Sequence, residues 1–431
     1  MLSRRAILVS SLAAAAVRPP TARAQPAPAP GQGETAAPKI LQLQRRTIEV
    51  NGKPASVFAI RQPGGSAGIV TEVGTQFRVL VENRIDQASL IHWHGLAPPW
   101  QQDGVPGISG PPIPPSGSAD YDFPLRFGGT FWMHSHQGLQ EQSLMAAPLI
   151  IRDGRDIPGQ QEIVMMLNDF SFTPPEEIMA GLRKGGRMPV TARMAAPARK
   201  AGMAQGDAPD LNDVKYDAFL ANDRTLADPE VVQVEPGTTV LLRVINGSSM
   251  SNYHLDLGRL KGELIAVDGF RIVPVLAGRF PITVAQRLDI RLAAPREAAF
   301  YPVLAVLEGE RRQTGIVLAV GRPAIARAPE MASALSPALT LDLERRLRAA
   351  RPLKSRKADR VHTLNLTGDM EHYIWSINNV AWNKDVPPLP IAKGERAELV
   401  MINQTRMPHP MHLHGPSSRL SRSTASGLPA R

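Results

Sequence analysis

The sequence predicts an all-β protein made of three Greek-key β-sandwiches, the third incomplete. Three observations carry that expectation. First, 35 glycines and 40 prolines divide the 431 residues into short segments, and such punctuation favours strands and turns over long helices. Second, a ten-residue pattern recurs three times, as Gly74 to Asn83, Gly237 to Asn246 and Gly394 to Asn403. Each copy opens on a turn glycine, runs through an apolar, strand-like stretch and closes on asparagine. The copies are 163 and 157 residues apart, which is the spacing of domains and not of a solenoid. Third, the register continues beyond the asparagine. Twelve positions on stands another glycine, Gly95, Gly258 or Gly415, preceded by His92-Trp93-His94, Leu255-Asp256-Leu257 and His412-Leu413-His414.

One strand is therefore expected three times. Side chains at i and i+2 of a strand share a face, so the first and third copies present paired imidazoles where the second presents paired leucines for a core. Later segments repeat the contrast. Asp122 to Phe127 leads to Thr130-Phe131-Trp132-Met133-His134-Ser135-His136, whereas Leu288 to Ala293 leads to the apolar run Ala299 to Leu304. The expected units are residues 39–158, 159–322 and 356–431, joined by a helical or irregular linker over 323–355. Residues 171–215 form an insertion carrying Met179, Met188, Met194 and Met203. It is expected to be a mobile surface loop, although thioether sulfur also suits Cu(I).

The N-terminus has the form of an export signal. Arg4 and Arg5 precede a short apolar stretch ending near Val17, and Ala22-Arg23-Ala24 offers small residues for cleavage. Residues 1–24 are expected to be a twin-arginine signal peptide that delivers the protein to the periplasm. Residues 25–38, rich in Ala, Pro and Gly, are expected to be a flexible lead-in. No segment is long and apolar enough for a transmembrane helix. The formal charge is +10, but four arginines of the signal and Arg419, Arg422 and Arg431 at the far end leave only +3 for the body. Without a basic stripe interleaved with aromatics, a nucleic-acid partner is not expected.

Seven of the ten histidines form three clusters: His92 and His94; His134 and His136; His409, His412 and His414. His254, His362 and His372 lie apart and are expected to be ordinary hydrogen-bonded groups. Neutral imidazole binds copper, zinc, iron and nickel. The absence of Asp and Glu from the clusters argues against a carboxylate-rich iron site, and zinc needs only three or four ligands. Seven imidazoles from both ends of the chain point to several metal ions at a junction between domains.

His92-Trp93-His94-Gly95, Trp132-Met133-His134-Ser135-His136 and His409-Pro410-Met411-His412-Leu413-His414-Gly415 resemble three of the four copper motifs of multicopper oxidases. The bacterial copper-resistance and laccase-like branch is the nearest in flavour. The resemblance implies three cupredoxin-like domains and a copper enzyme that couples one-electron oxidation of a small reductant, Cu(I) or a phenol-like molecule, to reduction of dioxygen to water. It implies His92 and His412 on the type 2 copper, His94, His134, His136 and His414 on the type 3 pair, and His409 on the type 1 copper. Asp103 matches the family's proton-relaying acid, and it is also a natural turn residue before Gly104.

The sequence departs from the family at the fourth motif, His-Cys-His, since it holds no cysteine. A blue copper site needs a thiolate beside its imidazoles, so the type 1 centre is expected to be incomplete. Counting from His94 to His134 places the missing motif 40 residues past His414, beyond Arg431. The segment Pro416 to Arg431 lacks strand periodicity. The expectation is a frameshift or premature stop just after Gly415, with a genuinely shortened C-terminus as the rival. A copper-binding protein without oxidase activity is the alternative function, and a copper-free structural member is a third.

Overall fold

The computed structural model describes residues 37–154, 157–184, 211–324, 327–354, 356–369, 372–383, 385–405 and 407–415. The expected signal peptide, Met188, Met194, Met203 and the tail after Gly415 lie outside these residues.

The first sandwich contains β1 (Lys39–Val50), β2 (Lys53–Arg61), β3 (Ile69–Glu72), β4 (Gln76–Asn83), β5 (Ile91–His94), β6 (Ser118–Pro124), β7 (Gly129–Ser135) and β8 (Ala146–Arg152). Its two sheets have the orders β2-β1-β4-β6 and β3-β8-β7-β5. The second contains β9 (Gln161–Phe170), β10 (Ala218–Ala221), β11 (Val231–Val234), β12 (Thr239–Asn246), β13 (Tyr253–Asp256), β14 (Gly262–Val267), β15 (Phe270–Ala277), β16 (Arg279–Ile282), β17 (Arg287–Ala293), β18 (Ala299–Leu307) and β19 (Gln313–Val320). These form the sheets β10-β9-β12-β17-β14-β15 and β11-β19-β18-β13-β16. Among the described residues the third repeat forms one sheet, β22-β21-β20-β23, made of β20 (Arg360–Asp369), β21 (Ile374–Ile377), β22 (Val380–Ala381) and β23 (Ala397–Asn403).

The repeated ten-residue pattern is the same strand each time. β4 runs parallel to β1, β12 to β9 and β23 to β20. The closing asparagine has one job in all three places. Its side-chain oxygen accepts the backbone N–H two residues on, at 3.1 Å for Asn83 to Ile85, 3.1 Å for Asn246 to Ser248 and 2.9 Å for Asn403 to Thr405. That local turn ends the strand and aims the chain toward the other sheet. The paired glycines of the pattern all adopt positive φ, from Gly258 at 60° to Gly95 at 91°, a region open to glycine at little cost.

The first two sandwiches are joined by buried contacts. Trp132 packs with Met166 and Ile245, and Ile48, Val50 and Leu144 pack with Phe170 and Leu220. The methionine insertion differs from its expectation where it is described. Residues 175–183 form helix α1 (Pro175–Arg183), which places Ile178 and Leu182 in the second core. Pro at the first helical position and Glu176-Glu177 in the first turn suit a helix start. The linker holds one short helix, α2 (Asp342–Arg346), whose Leu343 is buried in the same core. Among the described residues no helix is long and apolar enough to cross a membrane.

The third repeat departs from the expected strand register. His412 to His414 lie outside any strand, whereas β5 is held by pairing with β7. No described strand stands beside His412 to His414 to supply such a ladder. β23 likewise ends its sheet, while β4 and β12 are each flanked by an antiparallel neighbour, β6 and β17. Val361, Ile374, Trp382, Val400 and Ile402 are consequently exposed. An open apolar edge of this kind templates association. We expect this 431-residue chain to self-associate at micromolar concentration, and a lysine in place of Ile402 to raise the monomer fraction. Sedimentation velocity decides it; a monodisperse monomer for the unmodified chain would count against the expectation.

Candidate metal centre

The site begins with the packing of Trp93. Its indole meets Phe77 and Tyr121 edge to face, with centroids 4.9 and 4.8 Å away. Burying that ring in the first core turns His92 and His94 to the opposite face of β5. Strand β7 does the same with Phe131 and Met133 inward. Pairing sets His92 directly opposite His134. His412 and His414 then arrive from the third repeat, and their rings stack on His94 at 3.8 Å and tilt against His92 at 4.1 Å.

Ring nitrogens of His92, His134 and His136 lie within 4.8 Å of one another, and so do those of His92, His412 and His414. His92 is common to both groups. His92 Nε2 faces His412 Nε2 at 3.3 Å, and His94 Nδ1 faces His134 Nε2 at 3.3 Å.

The turn at Asp103-Gly104 orients three of these rings. His92 Nδ1 donates to the Asp103 carbonyl at 2.8 Å, and His136 Nδ1 donates to the Gly104 carbonyl at 2.9 Å. His414 Nδ1 donates to the Asp103 carboxylate at 3.0 Å. Each bond places the proton on Nδ1 and leaves Nε2 as a lone-pair donor. Gly104 is required here. Its φ is +69°, and a Cβ would stand 2.0 Å from the Ile91 carbonyl. Only glycine lets the turn lie that close to β5.

Electrostatics favour neutral rings. Burial, reinforced by His414 and His134, lowers His92 to about 4 despite the opposing hydrogen bond to Asp103. Burial and the neighbouring rings lower His136 to about 3. Burial, then the Arg287 cation and the adjacent rings, keeps His94 well below 6.5. His412 is lowered to about 3 by burial of its ring and by His92, although much of the residue stays open to water. Burial opposes ionisation of Asp103, but hydrogen bonds from His414 and His92 outweigh it and hold its pKa at about 2. Six imidazoles with two facing nitrogen pairs suit borderline divalent metals, copper among them.

His409 stands apart. Its Nε2 meets the Thr405 hydroxyl at 2.7 Å and its ring meets Trp375. With no cysteine in the chain, the residues around His409 do not fit a thiolate-bound copper. His254, His362 and His372 are hydrogen-bonded to Pro337, Pro390 and Asp369, as expected of isolated histidines. Two neighbours escaped the sequence reading. Arg287, on β17 of the second sandwich, is buried and donates to the Thr130 carbonyl. Glu141 brings Oε2 to 3.2 Å from His134 Nδ1. Glu141 lies only five residues past His136, which was a usable signal; nothing local marks Arg287.

Two β-sandwiches and a third sheet, with imidazoles gathered from the first and third repeats, are the arrangement of a multidomain protein of the cupredoxin-like type with a candidate metal centre. Profiles of the multicopper oxidase family match residues 42–156, 162–322 and 356–428, and the chain belongs to that family of copper-dependent oxidoreductases. It is 27% identical over 500 aligned positions to a copper resistance protein A homolog of Pseudomonas syringae pv. tomato, covering 90% of this chain and 84% of that protein. It is 25% identical to the multicopper oxidase MmcO of Mycobacterium tuberculosis, over 90% of this chain and 77% of that one. The fold matches a multicopper oxidase from Pseudomonas thermotolerans with TM-score 0.60 and 20% identity, covering 88% of this chain and 84% of that one. It also matches a laccase from Botrytis aclada with TM-score 0.62 and 21% identity, covering 80% of this chain but only 64% of the laccase.

Proposed function

We propose that the chain builds the dioxygen-side copper centre of a periplasmic multicopper oxidase, but cannot by itself form the type 1 centre that admits electrons. The observation that carries this reading is the meeting of His92, His94, His134 and His136 with His412 and His414, 276 to 322 residues away along the chain, at nitrogen separations down to 3.3 Å. His92 and His412 would hold the type 2 copper, and His94, His134, His136 and His414 the type 3 pair. Bound copper would supply electron storage and the reduction of dioxygen to water. The protein's part is to keep His92, His94, His136 and His412 from taking a second proton, and to aim His92, His136 and His414 through the Asp103-Gly104 turn. Asp103, anionic and bonded to the His414 N–H, would accept and pass protons at the centre's edge. The reductant in this reading is Cu(I) or a small phenol, and twin-arginine export through Arg4-Arg5 sets the compartment.

The second reading, a copper-binding protein without oxidase turnover, is favoured by the lack of any cysteine. One experiment separates the two. The purified chain is loaded with copper, and metal per chain, visible absorption and oxygen uptake with Cu(I) or a phenol are measured. We expect bound copper, no intense thiolate-to-copper band and oxygen uptake at background. Sustained uptake with a blue band would overturn the expected impairment. Failure to retain copper after desalting would overturn the metal centre itself.

A further inference from the structure

Three of the six rings around the centre are held in the same way, and the pattern extends to a residue the family resemblance does not assign. His92, His136 and His414 each turn Nδ1 toward a fixed oxygen: the Asp103 carbonyl, the Gly104 carbonyl and the Asp103 carboxylate. His134 Nδ1 is fully buried and makes no hydrogen bond of ordinary geometry. The oxygen facing it is Glu141 Oε2, at 3.2 Å. A small rotation of either side chain completes the bond, and such bonds commonly tighten when a site fills.

We propose that Glu141 is a positioning residue for His134: it accepts the Nδ1–H, fixes that tautomer and so presents Nε2 to the metal. The proposal rests on the copper reading of the cluster only for its consequence on affinity; the tautomer itself is a property of the metal-free chain.

The seat of Glu141 supports the assignment. It opens a one-turn 3-10 helix, Glu141–Ser143. The preceding residue, Gln140, is a buried hub. Its Oε1 accepts from the hydroxyls of Ser89 and Ser135 at 2.8 and 2.7 Å, and its Nε2 donates to Gln87 Oε1 and the Ala88 carbonyl at 2.8 Å each. Ser135 lies on β7 beside His134. The same hub that fixes the backbone of the histidine strand therefore fixes the turn that carries the carboxylate. Glu141 is also partly open to water, unlike Asp103. Two carboxylates thus meet the rings of the centre, Asp103 closed to water and Glu141 partly open to it.

The test uses the full chain labelled with 15N-histidine. In the metal-free protein, long-range nitrogen–proton correlation spectra report each ring's tautomer, with the His134 signal assigned by its loss in His134→Gln. The proposal expects a single Nδ1–H tautomer for His134. Glu141→Leu should convert it to a mixture or to Nε2–H. Glu141→Gln, whose amide oxygen can still accept, should restore Nδ1–H. Copper titration should show affinity reduced about 10–100-fold in Glu141→Leu, the range for loss of an outer partner, and within a few-fold of the parent in Glu141→Gln. An unchanged tautomer and affinity in Glu141→Leu would overturn the proposal. If the tautomer follows Glu141 while no variant, nor the parent, binds copper, the orienting role stands and the copper reading fails.

Discussion

Replacing Arg243 with methionine is expected to destabilise the first two sandwiches together by about 3–5 kcal/mol, the usual cost of removing one partner from a buried ion pair. Arg243 is buried on β12 and donates from Nη1 to Asp289 Oδ2 and to the Thr130 hydroxyl, each at 3.1 Å, and from Nε to Glu162. Thr130 in turn hydrogen-bonds to Asp289. Without the guanidinium, Asp289 keeps only part of its compensation in a site that excludes water. Thr130 belongs to β7, the strand that leads to His134 and His136, so this loss is also expected to loosen copper binding. Calorimetric melting of the parent and Arg243→Met proteins measures the first effect, and copper titration the second. Adding Asp289→Leu to Arg243→Met should recover part of the stability, because the buried Asp289 charge is then gone and Glu162 keeps its pair with Arg152. A loss below about 1 kcal/mol in the single variant would show that water reaches the pair and that the lock is not what joins the sandwiches.

That lock was invisible in the sequence, and the reason is physical. Periodicity reports which face a strand buries, so the paired leucines of the second repeat and the paired histidines of the first could be placed from the chain alone. The threefold spacing of glycine and asparagine exposed β4, β12 and β23 because each asparagine performs the same strand-ending turn. Contacts such as Arg243 to Thr130, Arg287 to the Thr130 carbonyl and Glu141 to His134 depend on how sheets face one another, which no local pattern encodes. Over 175–183 the surrounding Gly, Pro and Lys suggest a loop and mask the helix start that Pro175 and the acidic first turn provide. The strand expected at His412 to His414 followed from repeat symmetry, but a strand also needs a neighbour, and none of the described residues provides it. Imidazoles two apart on a strand stand out in a sequence, and the fold brings the pairs of β5 and β7 together with His412 and His414. The hydrogen bonds that aim the imidazoles were not legible, apart from the glycine that the Asp103-Gly104 turn demands.

The metal-free protein should lose stability steeply as pH falls from 6.5 to 4, and the histidine centre should be the chief cause. In the unfolded chain these imidazoles titrate near 6.5. In the folded chain His92 is lowered to about 4 and His136 to about 3, with burial the main cause of both, and His94 is held well below its ordinary value. Above pH 6.5 both states carry neutral rings, so these groups make no difference. Between 6.5 and 4 the unfolded chain takes up protons that the folded chain refuses, and each such group costs up to about 1.4 kcal/mol per pH unit. For His92 alone that amounts to about 3 kcal/mol by pH 4. The rings depress one another, so their effects do not add in full, and His412, more open to water, contributes less. Asp103 acts in the same direction at lower pH. Its folded pKa of about 2 gives stability above 3.9, the unfolded value, that is lost as pH falls through 2. The measurement is the melting temperature of the copper-free chain against pH, compared with a His92→Gln, His136→Gln double variant. The parent curve should fall steeply below 6.5 and the variant curve more gently. Parallel curves would mean that protons enter the folded cluster freely, and that its rings are not held ready for metal by burial.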